Sequence, residues 1–322
     1  RRRTLAFVLL LESLQRGRGK RRWYWVHPLN HQHHHQYFSM SVEQMDELLS
    51  LIGPEFTRQS TNYRAAIEPK QRLAVGLRYL ASGESMVNLA FSYRFWENGI
   101  SQIVWDTTTV PKSVLQLQKY FLSHLVDADN RFRIIQVGDF RRTSDGGVYA
   151  RSELGRGMKN NTLHVPPSTS LPGAAHLGNV PFVMVGDAAF PLKPFLMRPY
   201  PGANLTFKKR IFNYRLSRAR MVVENAFGIL SAKRRIFLNR INMQPKNVDT
   251  LVIAACILHN FLIVPSENQR LLDEAEQLGR HMAPVRHMGG NRASTEACNV
   301  REVFCTFFNS PKGSISWQDR MV

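Results

Sequence analysis

Between Ala188 and Val248 the sequence holds thirteen Lys or Arg residues and a single acid, Glu224. That acid sits in Met221-Val-Val-Glu-Asn-Ala-Phe-Gly228, where Val223, Ala226, Phe227 and Leu230 supply an apolar helical face. Glu224 flanks this face, stacked with Arg220 and Gly228 at i±4 spacing. A second acid, Asp187, ends the apolar run Val180–Val185 and is followed by small Ala188 and Ala189. A carboxylate at the C-terminal end of a strand, with small neighbours, is a common way to present an oxygen ligand. Carboxylates are hard donors suited to Mg²⁺ or Mn²⁺, and two such ions roughly 4 Å apart can activate water against a phosphodiester. Asp187 and Glu224 are therefore the candidate metal-binding and catalytic residues. Lys208, Lys209, Arg210, Arg218, Arg220, Lys233, Arg234 and Arg235 are the candidate DNA-binding residues around them. Plainer roles remain open for both acids: a strand-end turn for Asp187, and an ion pair with Arg220 for Glu224.

The bulk charge points the same way. With 43 Lys and Arg against 24 Asp and Glu, the net charge is +19. Counterion release from a polyanion is the natural driving force for a partner of such a chain. Hydrophobic content of 43% in 322 residues is ample for a core. No apolar run reaches the ~18–20 residues that span a bilayer. Leu5–Leu11 is too short, and Glu12 interrupts it, for a targeting segment. Three cysteines, Cys256, Cys298 and Cys305, without paired spacing, speak against a disulfide framework or structural zinc.

These carboxylates need elements to hold them. Residues 1–40 read as a basic, disordered N-terminus in which His31, His33, His34 and His35 lie in a solvated loop. Residues 41–117 read as a helical domain. Ser41 and Gln44 fit a capping box, and Gly53 closes the first helix. A second helix covers Lys70–Ala81 and stops at Gly83. Ser85–Tyr93 and Ile100–Thr108 follow as a helix-turn-helix pair. Residues 118–265 change character. Tyr120–Val126 and Arg131–Val137 read as strands joined by a turn at 127–130. Arg141–Gly147 reads as loop and Ser152–Met158 as a short helix. Val180–Val185 reads as a buried strand. Tyr214–Ile236 and Val248–Ile263 read as helices. Residues 266–322 form a helical and irregular extension, with possible helix at Glu267–Arg280.

At these residues the sequence resembles the PIF/Harbinger transposase-derived nucleases, a DDE superfamily that includes Harbinger-type nucleases of animals and antagonist-of-Polycomb-like proteins of plants. The resemblance lies in Val185-Gly-Asp-Ala-Ala-Phe190, Tyr214-Arg-Leu-Ser-Arg-Ala-Arg220, Val223-Glu-Asn-Ala-Phe-Gly228 and Leu258-His-Asn-Phe261, and in the 37-residue spacing from Asp187 to Glu224. Val126–Phe132, Arg142–Val148, Arg72–Ala81 and Gly313–Gln318 match further segments. The resemblance implies an α/β fold: a ribonuclease-H-like DDE core with an N-terminal helical domain. It gives Asp187 and Glu224 the second and third carboxylate roles, with a divalent metal as cofactor and DNA as substrate.

It also implies a first Asp on a strand between the helical region and the hairpin. Here the chain passes from Ile100–Thr109 to Tyr120–Val126 without that motif, so the core is expected to lack its first strand. Asp106 reads as part of the last N-terminal helix. Asp127 and Asp129 read as turn residues at the wrong end of the hairpin. Asp145 reads as a turn residue before Gly146-Gly147. The expected function is that of a transposon-derived DNA endonuclease, impaired in this form. The alternative is a catalytically inactive, domesticated DNA-binding or chromatin-associated protein. Nuclear localisation and a Myb-like partner follow from the resemblance. An RNA-binding protein is a third reading, and it lacks any aromatic motif of the RNA-recognition type.

Overall fold

The computed structural model describes residues 31–60, 62, 66–114, 125–135, 137, 145–163, 165–263 and 293–321. The N-terminal part is helical. Helix α1 spans His31–Phe38, α2 Val42–Phe56, α3 Pro69–Ser82, α4 Met86–Tyr93 and α5 Glu97–Val114. The histidine cluster is thus helix rather than loop. His34 turns inward, and its Nδ1 lies 3.2 Å from the Met40 carbonyl. Burial lowers its pKa, because the charged ring would be desolvated.

The capping box at Ser41 forms in full: the Gln44 amide donates to Ser41 Oγ and the Ser41 amide to Gln44 Oε1. Gly53 does not end α2. The helix runs three residues further and carries Phe56 into the core beside Ile52, its i−4 neighbour. Gly83 ends α3, in the left-handed conformation (φ 67°) that a Cβ disfavours.

Helix α5 is the centre of this bundle, packing on α2, α3 and α4 and on a later helix, α9 (Pro245–Phe261). Its approach to α3 is close: a Cβ on Gly76 would stand 2.2 Å from Thr107 Oγ1. The same approach brings Arg72 of α3 onto Asp106 of α5, both buried. Asp106 also accepts from Gln102 Nε2 (2.8 Å) and Arg58 Nη2 (3.3 Å). Asp106 is therefore a helix-packing residue.

Strands are short, and they pair by twos. β1 (Leu125–Val126) and β2 (Phe132–Ile134) form an antiparallel hairpin. β3 (Thr169–Ser170) pairs antiparallel with β4 (Asn179–Val180), and β5 (Met184–Val185) pairs parallel with β6 (Leu196–Met197). Two short helices, α6 (Asp145–Arg151) and α7 (Glu153–Lys159), separate the hairpin from β3. The Gly146-Gly147 pair lies in α6 rather than in a loop. The apolar run Val180–Val185 is broken into β4 and β5, and β5 is half-buried. Among the described residues there is no single central sheet. The coarse class is a mostly helical α/β protein.

The long helix α8 (Phe207–Lys233) organises the rest. Its first half, through Phe212 and Leu216, packs with β5, β6 and the C-terminal helix α10 (Thr295–Phe308). Its second half, through Ala226 and Leu230, packs with Phe132 of the hairpin and with Ala255 and Cys256 of α9. The opposite face of α9 joins the N-terminal core through Leu251, Leu258 and Leu262. The helical bundle and the strand-bearing part thus share one core through α9. The expected helix at Glu267–Arg280 lies outside the described residues, as do residues 1–30. Among the described residues no helix is long and apolar enough to cross a membrane.

Removing one partner of a buried, hydrogen-bonded ion pair strands the other, at a cost of about 3–5 kcal/mol. Asp106→Ala is expected to destabilise the protein by that amount in urea unfolding while leaving divalent-metal affinity unchanged. Metal affinity lost with stability intact would return Asp106 to the list of ligands.

Candidate metal centre

Asp187 stands two residues beyond β5. Main-chain bonds from the Met184 amide to the Phe195 carbonyl and from the Gly186 amide to the Met197 carbonyl, both 2.9 Å, fix the strand end. Asp187 Oδ1 accepts from the Ala189 amide at 2.8 Å, which makes a tight side-chain turn. Its side chain is half-buried. Glu224 lies on α8 between the two apolar clusters, ten residues or fewer from Leu216 and Ala226. Val185, two residues before Asp187, packs against the first of these clusters, on the helix that carries Glu224.

The plainer features of both acids are present. Arg220 Nη1 meets Glu224 Oε1 at 2.8 Å, an i,i+4 pair about one-third exposed on each side. Glu224 Oε2, however, is buried and has no hydrogen-bond partner. An ionised oxygen enclosed without a donor is costly, and a cation is the usual remedy. Asp187 and Glu224 thus fit a divalent metal in kind, as hard oxygen donors. They do not fit it in number. Among the described residues no group of three His, Cys, Asp or Glu could hold a metal.

The other acids have structural partners. Asp127 Oδ1 accepts from the amides of Asp129 (2.9 Å) and Arg131 (3.0 Å), and its Oδ2 from Arg133 Nε (2.6 Å). Burial pushes its pKa up, but these bonds outweigh burial and hold it below the ordinary value. It shapes the hairpin turn. Asp145 opens α6.

Two predicted DNA-binding cations are corrected. Lys233 is buried, and its Nζ donates to the Leu262 carbonyl at 2.9 Å, capping the end of α9. Arg234 is buried and reaches the Phe38 carbonyl at 3.4 Å. Neither offers surface to a phosphate, because both act as internal fasteners. Lys208, Arg210, Arg218 and Arg235 are exposed, and Lys209 and Arg220 half-exposed.

The Leu258–Phe261 segment holds the hairpin. Asn260 Oδ1 accepts from the Phe132 amide (2.8 Å) and its Nδ2 donates to the Phe132 carbonyl (2.7 Å). His259 Nε2 lies 2.7 Å from the Asn130 carbonyl, a contact that requires a proton on that nitrogen. Its ring meets Phe132 edge-on at 5.0 Å.

With this geometry in place, comparison with known proteins is direct. Residues 118–260 match the DDE superfamily endonuclease family. That segment is similar to this superfamily. It is also similar to an Arabidopsis thaliana protein named Protein ALP1-like, at 24% identity, covering 74% of this chain and 72% of the relative. That alignment runs over 301 residues, whereas 74% of this 322-residue chain is about 238, so part of its length is filled by the relative alone. No solved structure matches. The family match ends at Asn260, the residue that clasps the hairpin.

Burial lowers the His259 pKa to about 4, with Lys233, Arg234 and Arg131 adding to the effect against the Asn130 bond. The unfolded ring takes up a proton near pH 6.5, before the folded ring does, so stability is present above that pH and is lost as pH falls towards 4. The linkage amounts to roughly 3 kcal/mol at most. His259→Gln keeps a donor but cannot titrate. Urea unfolding of this variant should show a flatter pH dependence between 6.5 and 4 than wild type, and parallel curves would refute the assignment.

Proposed function

We propose that this chain is a transposon-derived, Harbinger-type DNA endonuclease whose metal centre is incomplete, so that it binds DNA and cleaves it poorly. The observation that carries the reading is Glu224: an acid with one buried, unpartnered oxygen, on the helix against which the Asp187 strand end packs. The superfamily match over residues 118–260 suggests the reaction class, metal-assisted hydrolysis of a phosphodiester. Asp187 and Glu224 would hold Mg²⁺ or Mn²⁺. Bound there, the metal would polarise a phosphate oxygen and lower the pKa of a coordinated water.

The protein's own residues supply the remaining parts. Arg220 keeps the Glu224 side chain extended along the flank of α8. Exposed Lys208, Arg210 and Arg218 on the same helix carry charge for the DNA backbone. Incompleteness is supported by the absence of any Asp from the sequence between Thr109 and the hairpin and by the unfilled length of the ALP1-like alignment. Among the described residues the hairpin and the β5–β6 pair are not joined in one sheet, which agrees with it. A DNA substrate and a charge of +19 favour a nuclear protein, and a Myb-like partner is the expected escort. The second reading, a domesticated DNA-binding or chromatin-associated protein without turnover, is favoured by the same incompleteness.

Two measurements test the proposal. Mn²⁺ titration by calorimetry should show weak binding to wild type that is lost in Asp187→Asn and in Glu224→Gln. Supercoiled plasmid with Mg²⁺ should be nicked no faster than by Asp187→Ala. Robust nicking that Asp187→Ala abolishes would overturn the impairment. Mn²⁺ binding unchanged in both variants would overturn the metal assignment.

A further inference from the structure

Residues 309–321 fold back onto α8 and are pinned there. Arg215 Nη1 donates to the Gly313 carbonyl and to Gln318 Oε1, both at 3.0 Å. Gln318 is buried, and its Nε2 donates to the Phe308 carbonyl at 2.9 Å. The Arg215 guanidinium itself lies 4.7 Å from the centroid of the Phe308 ring. Position 313 must be glycine, because a Cβ there would stand 2.0 Å from the Phe307 carbonyl oxygen. The path of this segment is therefore closely determined.

That path delivers Trp317 to the outer face of α8. Its ring packs edge-on against Tyr214 at 5.9 Å, and Arg218 Cζ lies 5.2 Å from its centroid. Tyr214 and Arg218 are one turn apart, so a single indole covers both. Trp317 nevertheless stays 40% exposed, where a ring serving only the core would be enclosed. Arg218 is exposed and forms no ion pair among the described residues. The pattern recurs two turns earlier, where Arg210 Cζ lies 5.7 Å from the centroid of the partly exposed Phe207. Eight residues separate the two arginines, about 12 Å along the helix.

We propose that Arg218 is a contact for a DNA backbone phosphate and that Trp317 is its positioning residue. This rests on the reading of the chain as a DNA-binding nuclease core. An arginine in water loses rotamer freedom when it grips a phosphate. An aromatic ring beneath the guanidinium restrains the side chain in advance and leaves the N–H fork free at its edge. That fork matches a phosphate bidentately, which a lysine cannot reproduce. The partner is identified by charge complementarity: an unpaired guanidinium on a chain of net charge +19, on the helix that also carries Glu224.

Duplex DNA binding, measured over a series of salt concentrations, tests the site. Arg218→Ala should weaken binding and lower the slope of log K against log salt by about 0.9, one phosphate contact. Trp317→Ala should keep the slope and weaken binding about two- to fivefold, as for a cation–π contact at an exposed site. Trp317→Phe should recover most of that loss. Once Arg218 is gone, Trp317→Ala should cost nothing more, a non-additivity that a merely structural tryptophan would not produce. If Trp317→Ala fails to fold, Arg218→Ala and Trp317→Phe carry the test. Wild-type affinity and slope in Arg218→Ala would overturn this site alone. Absence of any DNA binding by wild type would instead overturn the DNA reading on which it rests.

Discussion

The end of α8 is held by two cations that cannot reach water. Lys233 closes α9 through the Leu262 carbonyl, and Arg234, fully enclosed, reaches across to the end of α1 at Phe38. Enclosure lowers the Arg234 pKa to about 10 and leaves its Nε and Nη2 without partners. A charge buried at such cost has to be held by the packing around it. The packing here joins three elements, α1, α8 and α9, at one point. Everything upstream on α8, including Glu224 and the exposed basic face, is oriented by this anchorage. About two turns into the helix Arg215 pins the C-terminal segment against it. Arginines thus tie the helix to its surroundings at two points, and Glu224 lies between them.

The helices were largely legible, because their start and stop signals are local. Ser41 and Gln44 specify a cap whose bonds involve only each other, and Gly83 stops α3 for reasons internal to one residue. Gly53 misled, because the pull on Phe56 comes from a distant core. The strands were less legible. Two-residue pairs carry no periodicity, and whether Val180–Val185 is one strand or two depends on partners remote in sequence. Glu224 stood out as the one acid in a basic stretch, and Asp187 as an acid after an apolar run with small neighbours. The burial of Lys233 and Arg234 was not, since a charge run on a helix shows which residues are basic but not which carbonyl waits nearby. The Leu258–Phe261 segment stood out as a signature, yet its task became apparent only with Asn130 and Phe132 in place.

The superfamily match and the local geometry pull in different directions at the candidate metal centre. Asp187 follows a strand end fixed by main-chain bonds, and Glu224 has one oxygen without a donor on a helix flank. Their plainer roles are real as well, since the Ala189 turn and the Arg220 pair are both formed. A metal would therefore compete with Arg220 for Glu224.

The clasp on Phe132 has a consequence of another kind. Both main-chain groups of that residue point away from β1 and are taken by the Asn260 amide. A side chain thus stands where a neighbouring strand would otherwise pair. Open edges are where β-proteins recruit one another into aggregates, and an amide that satisfies donor and acceptor together blunts that template. Asn260 thus closes the described edge of the hairpin at Phe132.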